Sequence, residues 1–440
     1  MSDAALLERL SSAEFSHRFG HVKAIAPSVI EASGPSGQIG DLCSVQTRGG
    51  IRALAQIIAL DEKRVLLSPL EGVEGISLGA KVVARAERDL VGVGHCFAGR
   101  LVNALGLPLD NRSPIMPEAF VPLDGCVPRP LERATTSAPL ETGVRAIDAL
   151  LPLGCGQRVG IFAASGVGKT SLIEQLSIQS SVDRVVVCLV GERGREVENF
   201  WRIALRQAKP SRFTVVAATS DESAALRARA VPFAVALAEY WRARGEHVLL
   251  IVDSMTRLAM ALRELGLAAG SPPTIRAYTP NIFTAIPRLI ERCGGLRSGG
   301  AISAIMTVLS ETDDLDDPIV ELMKSLLDGH ILLSRTLADQ GHFPAIDVIK
   351  SVSRGAHERM TGAHRSASID IQSMVSALAE AKVMIESGIY RTGTNPLTDR
   401  AVSSKVKIQD FLAQQSDTAI SREDAIKALL TLNEGAAARG

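Results

Sequence analysis

Between residues 20 and 90 the hydrophobic positions fall in short runs: HVKAIA (21–26), SVIEAS (28–33), ALAQIIAL (53–60), RVLLSPL (64–70) and AKVVARA (80–86). Gly34-Pro35-Ser36-Gly37, Gly49-Gly50 and Glu71-Gly72 mark the breaks. Short strands at this spacing predict a small β-barrel, although periodicity alone does not separate a barrel from a sandwich. From about 140 to 355 the pattern changes to near-continuous aliphatic runs divided by helical stretches. The clearest are RVGIFAA (158–164), RVVVCLVG (184–191), FTVVAAT (213–219), HVLLIVD (247–253) and AISAIMTVL (301–309). Their alternation predicts an α/β domain, a parallel sheet with crossover helices. The stretch from Gly106 to Pro130, with Pro108, Pro114, Pro117 and Pro122, reads as a connecting segment. After about 356 the chain turns helical, with apolar positions from Ile371 to Ile385 and from Ile408 to Leu412. Leu6, Leu7 and Leu10 predict a short amphipathic helix in 1–19, either a docking helix or a frayed cap. The expected division is a segment 1–19, a β-barrel 20–90, an α/β domain with its lead-in 91–355, and a helical domain 356–440.

Composition narrows this picture. A chain of 440 residues with 46% hydrophobic and 22% charged residues folds around a large core and is not disordered as a whole. Lys and Arg, 48 in number, balance 48 Asp and Glu, which argues against coating nucleic acid or an anionic membrane as the main task. Aromatics at 4% leave the core to aliphatic side chains. The six cysteines form no CxxC pair and no Cys/His cluster, so neither a zinc site nor a disulfide framework is expected. The start MSDAALLERL lacks the features of a signal peptide, and no apolar run approaches the ~20 residues of a membrane helix. A soluble, cytoplasmic protein is the expectation.

The strongest chemical signal is Ala163-Ala164-Ser165-Gly166-Val167-Gly168-Lys169-Thr170, set between an apolar strand and the helical run SLIEQL. Glycines let such a loop wrap phosphate oxygens with its N–H groups, and the following helix adds its dipole. Ser165, Gly166, Val167, Gly168, Lys169 and Thr170 are therefore candidates to bind nucleotide. Lys169 would reach the β- and γ-phosphates and the Thr170 hydroxyl would complete Mg²⁺ coordination. The pattern departs from the strict form, since Ala163 stands where Gly usually begins it. Asp253, closing HVLLIVD, is either a Mg²⁺-facing acid or the cap of a helix starting near Ser254. Glu192 in Gly191-Glu192-Arg193-Gly194-Arg195-Glu196 follows Lys169 by about one helix and one strand. Its carboxylate could polarise a water in line with the γ-phosphate, or the charged segment could be a solvated loop.

The order of the phosphate loop, VGERGREVENF, LLIVDSMTR, YTPNIFTAIPRLIERCG, DDLDDPI, LLDGHILLSR and GHFPAIDVIKSVSR resembles the type III protein-export ATPases. These are the enzymes of flagellar and injectisome secretion systems, relatives of the catalytic subunits of rotary F- and V-type ATPases. The resemblance runs from about residue 20 to 415, and Ala163 is compatible with it. It implies an N-terminal β-barrel, a RecA-like P-loop ATPase core and a C-terminal helical domain, assembled as a homohexamer. It gives Glu192 as the water-activating carboxylate, Asp253 as the Walker B acid and Arg354 as an arginine finger reaching the neighbour's γ-phosphate. Phe343 matches the aromatic that packs on adenine, and Arg193 and Arg257 match positions near the phosphates. ATP and Mg²⁺ are the implied ligands. The implied partners are chaperone–substrate complexes, a central coiled-coil stalk, a stator-like regulator at the N-terminal region and the export gate at the inner membrane, with no nucleic acid.

On this resemblance the protein is the ATPase of an export machine, with DSMTR and GHFPAIDVIKSVSR leaning toward an injectisome. A catalytic subunit of a rotary ATP synthase shares the core residues, but GERGREV and the short C-terminal domain favour export. An RNA-translocating hexamer resembling the Rho terminator would need stacking aromatics, and residues 20–90 contain no Trp, Tyr or Phe. A nucleotide-binding scaffold without catalysis would not need Glu192.

Overall fold

The computed structural model describes residues 19–50, 52–85, 89–135, 138–309 and 317–437. The expected helix before residue 19 and Asp313–Asp316 of the DDLDDPI segment lie outside the described residues. The first six strands are β1 (Phe19–Ala26), β2 (Val29–Ala32), β3 (Leu42–Gln46), β4 (Arg52–Leu60), β5 (Val65–Pro69) and β6 (Lys81–Ala84). They close into a barrel in the order β1-β2-β5-β4-β3-β6, which settles the choice between barrel and sandwich. Alternate residues such as Val22, Ile30, Val45, Ile57, Leu67 and Val82 fill its interior. Strand β3 has no counterpart in the sequence reading: four of its five residues are buried, so it shows no alternation.

Five short strands follow: β7 (Leu90–Val93), β8 (Arg100–Asn103), β9 (Ala119–Pro122), β10 (Pro139–Leu140) and β11 (Leu153–Gly154). The Pro-rich stretch is thus more than a connector. Its β9 pairs antiparallel with β7, and β8, just before it, joins the main sheet parallel to β14. The remaining strands are β12 (Arg158–Ala163), β13 (Arg184–Glu192), β14 (Phe213–Thr219), β15 (His247–Asp253), β16 (Gly294–Gly295), β17 (Ala301–Leu309), β18 (Gly329–Leu332) and β19 (Val352–Ser353). The main sheet runs β19-β18-β12-β17-β15-β13-β14-β8, with β16 beside β17.

Strand β13 shows why its sequence reads as one apolar run. Val186, Cys188 and Val190 point into the core on one face, whereas Val185, Val187 and Leu189 point into the other. The helices Ala224–Arg242, Met255–Ala268, Ile282–Arg292 and Pro318–Leu326 cover the first face. Helices Arg145–Leu150, Lys169–Gln179 and Gly194–Leu205 cover the second. The C-terminal helices Gly362–Glu386, Pro396–Leu412 and Arg422–Ala437 extend that second core through Ile371, Met374, Ile408, Phe411 and Leu429. Arg145 fastens them to the sheet domain: its guanidinium donates to the carbonyls of Asp410 and Ala413 at 2.7 and 2.6 Å, where the helix Pro396–Leu412 ends. Among the described residues, no helix is long and apolar enough to cross a membrane.

Candidate nucleotide site

The parallel strands β12, β17, β15 and β13 lie side by side, and the last residues of β12, β15 and β13 put the chemistry at the carboxyl end of the sheet. Strand β12 stops at Ala163, and the loop 164–168 turns the chain into the helix that begins at Lys169. Gly166 and Gly168 hold φ of 81° and 90°, a region that side chains with a Cβ rarely enter. Between them Val167 is buried and anchors the loop in the core, while Ser165, Gly166 and Thr170 are exposed.

Glu192 is the last residue of β13 and Asp253 the last of β15, and both carboxylates face Lys169. The Lys169 ammonium is ion-paired with Asp253, and its Nζ lies 3.9 Å from Glu192 Oε1. Thr307, buried in β17, donates to Asp253 Oδ1 at 2.7 Å. The helix after Asp253 is capped by Ser254, whose side chain accepts from Arg257 N, so Asp253 is free of the capping duty that its sequence position allowed. Burial raises the Glu192 carboxyl to about 7; the negative charges of Asp253 and Glu196 add to the rise and Lys169 opposes it. A carboxyl titrating there exchanges protons at neutral pH.

Arg257 packs its aliphatic stem against Gly191, where a Cβ would come within 3.1 Å of it and where φ is 66°. Arg193 is exposed at the start of the helix Gly194–Leu205, so the charged segment is solvated from Arg193 onward and buried at Glu192. Ser165, Lys169, Thr170, Glu192, Arg193 and Arg257 all line one cleft of about 400 Å³. Phe343 lies against the other side of the loop: a Cβ on Gly168 would stand 3.2 Å from two of its ring carbons. A second cavity of about 750 Å³ opens there, bounded by Gly168, Gln175, Phe343, Gln414 and Asp417. Arg354 is not brought to this site. It follows β19, and its N–H donates to the Asp328 carbonyl beside the start of β12, at the opposite end of the strand from the loop.

Two contributors escaped the sequence reading. Thr307 leaves one signal, a hydroxyl in the apolar run AISAIMTVL. The segment around Gln414, whose N–H donates to the Phe343 carbonyl at 2.9 Å, leaves none, because it arrives from the helical domain.

The nucleotide-binding domain model of the ATP synthase alpha/beta family matches residues 143–353, and that family's beta-barrel domain model matches 22–85. The model of the T3SS EscN ATPase C-terminal domain matches 360–431. A type 3 secretion system ATPase of Sinorhizobium fredii is 42% identical over 408 residues, covering 92% of this chain and 90% of that protein. The chain belongs to the type III secretion and flagellum-specific ATPases. A flagellum-specific ATP synthase of Bacillus subtilis is 38% identical to this export ATPase over 436 residues, covering 98% and 99% of the two chains. The assembled EscN of enteropathogenic E. coli superposes with a TM-score of 0.89 at 38% identity, over 94% of this ATPase and all of EscN. EscN in complex with its central stalk EscO gives 0.86 at 37% identity, again over 94% of this chain. The enzyme is an ATP-binding hydrolase with the barrel, RecA-like core and helical domain expected of the family.

Proposed function

We propose that this ATPase is the homohexameric motor of a type III export apparatus, releasing chaperone-bound substrates and energising their export. The single observation that carries the reading is the convergence of Lys169, Glu192 and Asp253 on one phosphate-loop cleft, in a chain whose family is export ATPases. Lys169 neutralises phosphate charge and the loop N–H groups hold the phosphates. Glu192 takes the proton of the attacking water, for which a carboxyl raised to about 7 is suited. Phe343 offers a ring face to adenine beside the loop. The Thr170 hydroxyl and the Asp253 carboxylate are oxygen donors beside the phosphate loop, a set that suits Mg²⁺. These two groups would hold the ion, which would supply positive charge against the phosphates.

Arg354, on the far end of the sheet from its own loop, acts on a neighbouring subunit's nucleotide, which makes the ring the catalytic unit. EscN has been seen assembled and with a central stalk, and we extend both features to this protein. In this reading the motor divides into a segment 1–19, a barrel 20–90, an ATPase domain 91–355 and a helical domain 356–440. A stator-like regulator engages the N-terminal region and the ring docks from the cytoplasm beneath the export gate at the inner membrane. We favour an injectisome over a flagellum, on the DSMTR and GHFPAIDVIKSVSR segments. Replacing the native gene with Glu192→Gln should stop secretion of the exported proteins while rings still assemble. Normal secretion from that strain would overturn the reading.

A further inference from the structure

The peptide that carries Arg354 is held by three hydrogen bonds. Its N–H donates to the Asp328 carbonyl at 2.9 Å. Its carbonyl accepts from Gln157 Nε2 at 3.3 Å and from Arg359 Nη2 at 2.7 Å. Arg359 is 7% exposed, and its guanidinium also donates to the Pro152 carbonyl at 3.2 Å and to Gln157 Oε1 at 3.1 Å. Gly355 makes the short path possible: it sits at φ 70°, and a Cβ there would stand 3.1 Å from Arg359 Nη1. The helical domain closes the arrangement, since Arg422 Nη2 donates to the Arg359 carbonyl at 2.7 Å while Arg422 N–H donates to Glu141 Oε1 at 2.9 Å. The Arg354 side chain itself is exposed.

A buried arginine spending its donors on backbone carbonyls is costly unless it fixes something, because five N–H groups must be satisfied away from water. What these contacts fix is the backbone of an exposed arginine. We propose that Arg359 is a positioning residue for Arg354, clamping its peptide so that the side chain leaves the sheet edge in one direction, toward the neighbouring subunit. The proposal rests on the reading of Arg354 as a residue acting in trans. Ordering only side-chain torsions at each encounter, rather than the backbone as well, lowers the entropy lost when the neighbour's transition state is engaged.

The clamp makes a prediction that a general folding role does not. Arg359→Met should lower kcat by about 10²-fold while nucleotide affinity of the unassembled subunit stays within twofold of wild type, and Arg359→Lys should recover part of the rate. Rings mixed from Arg359→Met and Glu192→Gln subunits should regain activity, since each lesion spares the other's half of the interface. Rings mixed from Arg359→Met and Arg354→Ala should not. Should Arg359→Met fail to fold, Gln157→Met, which removes a neighbouring donor to the same carbonyl, takes its place in the same mixing. Wild-type kcat in the folded variant overturns the proposal. So does failure of the Arg359→Met and Glu192→Gln mixture where Arg354→Ala with Glu192→Gln recovers. If that last mixture also stays inactive, the trans reading of Arg354 has failed, and the clamp falls with it.

Discussion

Lys169 and Asp253 form an ion pair that joins the first residue of the helix after β12 to the last residue of β15. Both side chains are about nine-tenths buried, so neither charge is screened as a surface pair would be. Removing one partner therefore costs more than the phosphate contact alone. Lys169→Ala should abolish ATP turnover and also lower stability by about 1–3 kcal/mol, because Asp253 is left without its cation. Lys169→Ala combined with Asp253→Asn should regain most of the lost melting temperature and none of the turnover. Wild-type turnover in a folded Lys169→Ala protein would remove the basis for the nucleotide site.

Glu192 sets the expected pH dependence. Its carboxyl is raised to about 7 and acts as a base only when deprotonated, so kcat/KM should climb with pH to about 7 and level off above it. Glu192→Gln should retain nucleotide binding, lose about 10²–10⁴-fold in rate and lack that acidic limb. Loss of nucleotide affinity instead would make Glu192 a structural member of the site.

The sequence showed the strands that end at the site because each is an uninterrupted aliphatic run closed by a Gly or an acid, as in RVVVCLVGE and HVLLIVD. It also showed the loop, whose glycines must occupy positive φ to turn toward Lys169. Strand β3 stayed hidden because LCSVQ is buried on both faces and too short to mark itself. Strand β9 stayed hidden because prolines surround it. The approach of Gln414 to Phe343 joins residues far apart in the chain, and no local pattern encodes a contact made by docking one domain on another. The position of Arg354 just after β19 and beside the start of β12, away from its own loop, likewise needed the sheet order.

Phe343 should govern affinity more than rate. Phe343→Ala should weaken nucleotide binding by about 1–3 kcal/mol, the usual worth of one base stacked on an aromatic ring. Phe343→Tyr should bind like wild type, because it leaves the ring face beside the phosphate loop unchanged. Titration with a fluorescent ATP analogue measures both.

Thr307→Val keeps shape and removes the hydroxyl that donates to Asp253 Oδ1 at 2.7 Å. A partner that orients a metal-facing carboxylate typically carries 10–100-fold in metal affinity or activity. The variant should need about tenfold more Mg²⁺ for half-maximal turnover, and chelation should silence wild type and variant alike until Mg²⁺ is restored. An unchanged Mg²⁺ requirement would separate Asp253 from the metal.

The central claim is that a complete catalytic site takes Glu192 from one subunit and Arg354 from the next. An arginine supplied in trans carries on the order of 10³–10⁵ in rate where such fingers act. Glu192→Gln and Arg354→Ala rings should each be nearly inactive alone, while both bind nucleotide. Mixed under conditions where wild-type subunits exchange freely, they form some interfaces that pair an intact Glu192 with an intact Arg354, and turnover should partly return. Mixed rings that assemble and remain as inactive as either parent would contradict the account.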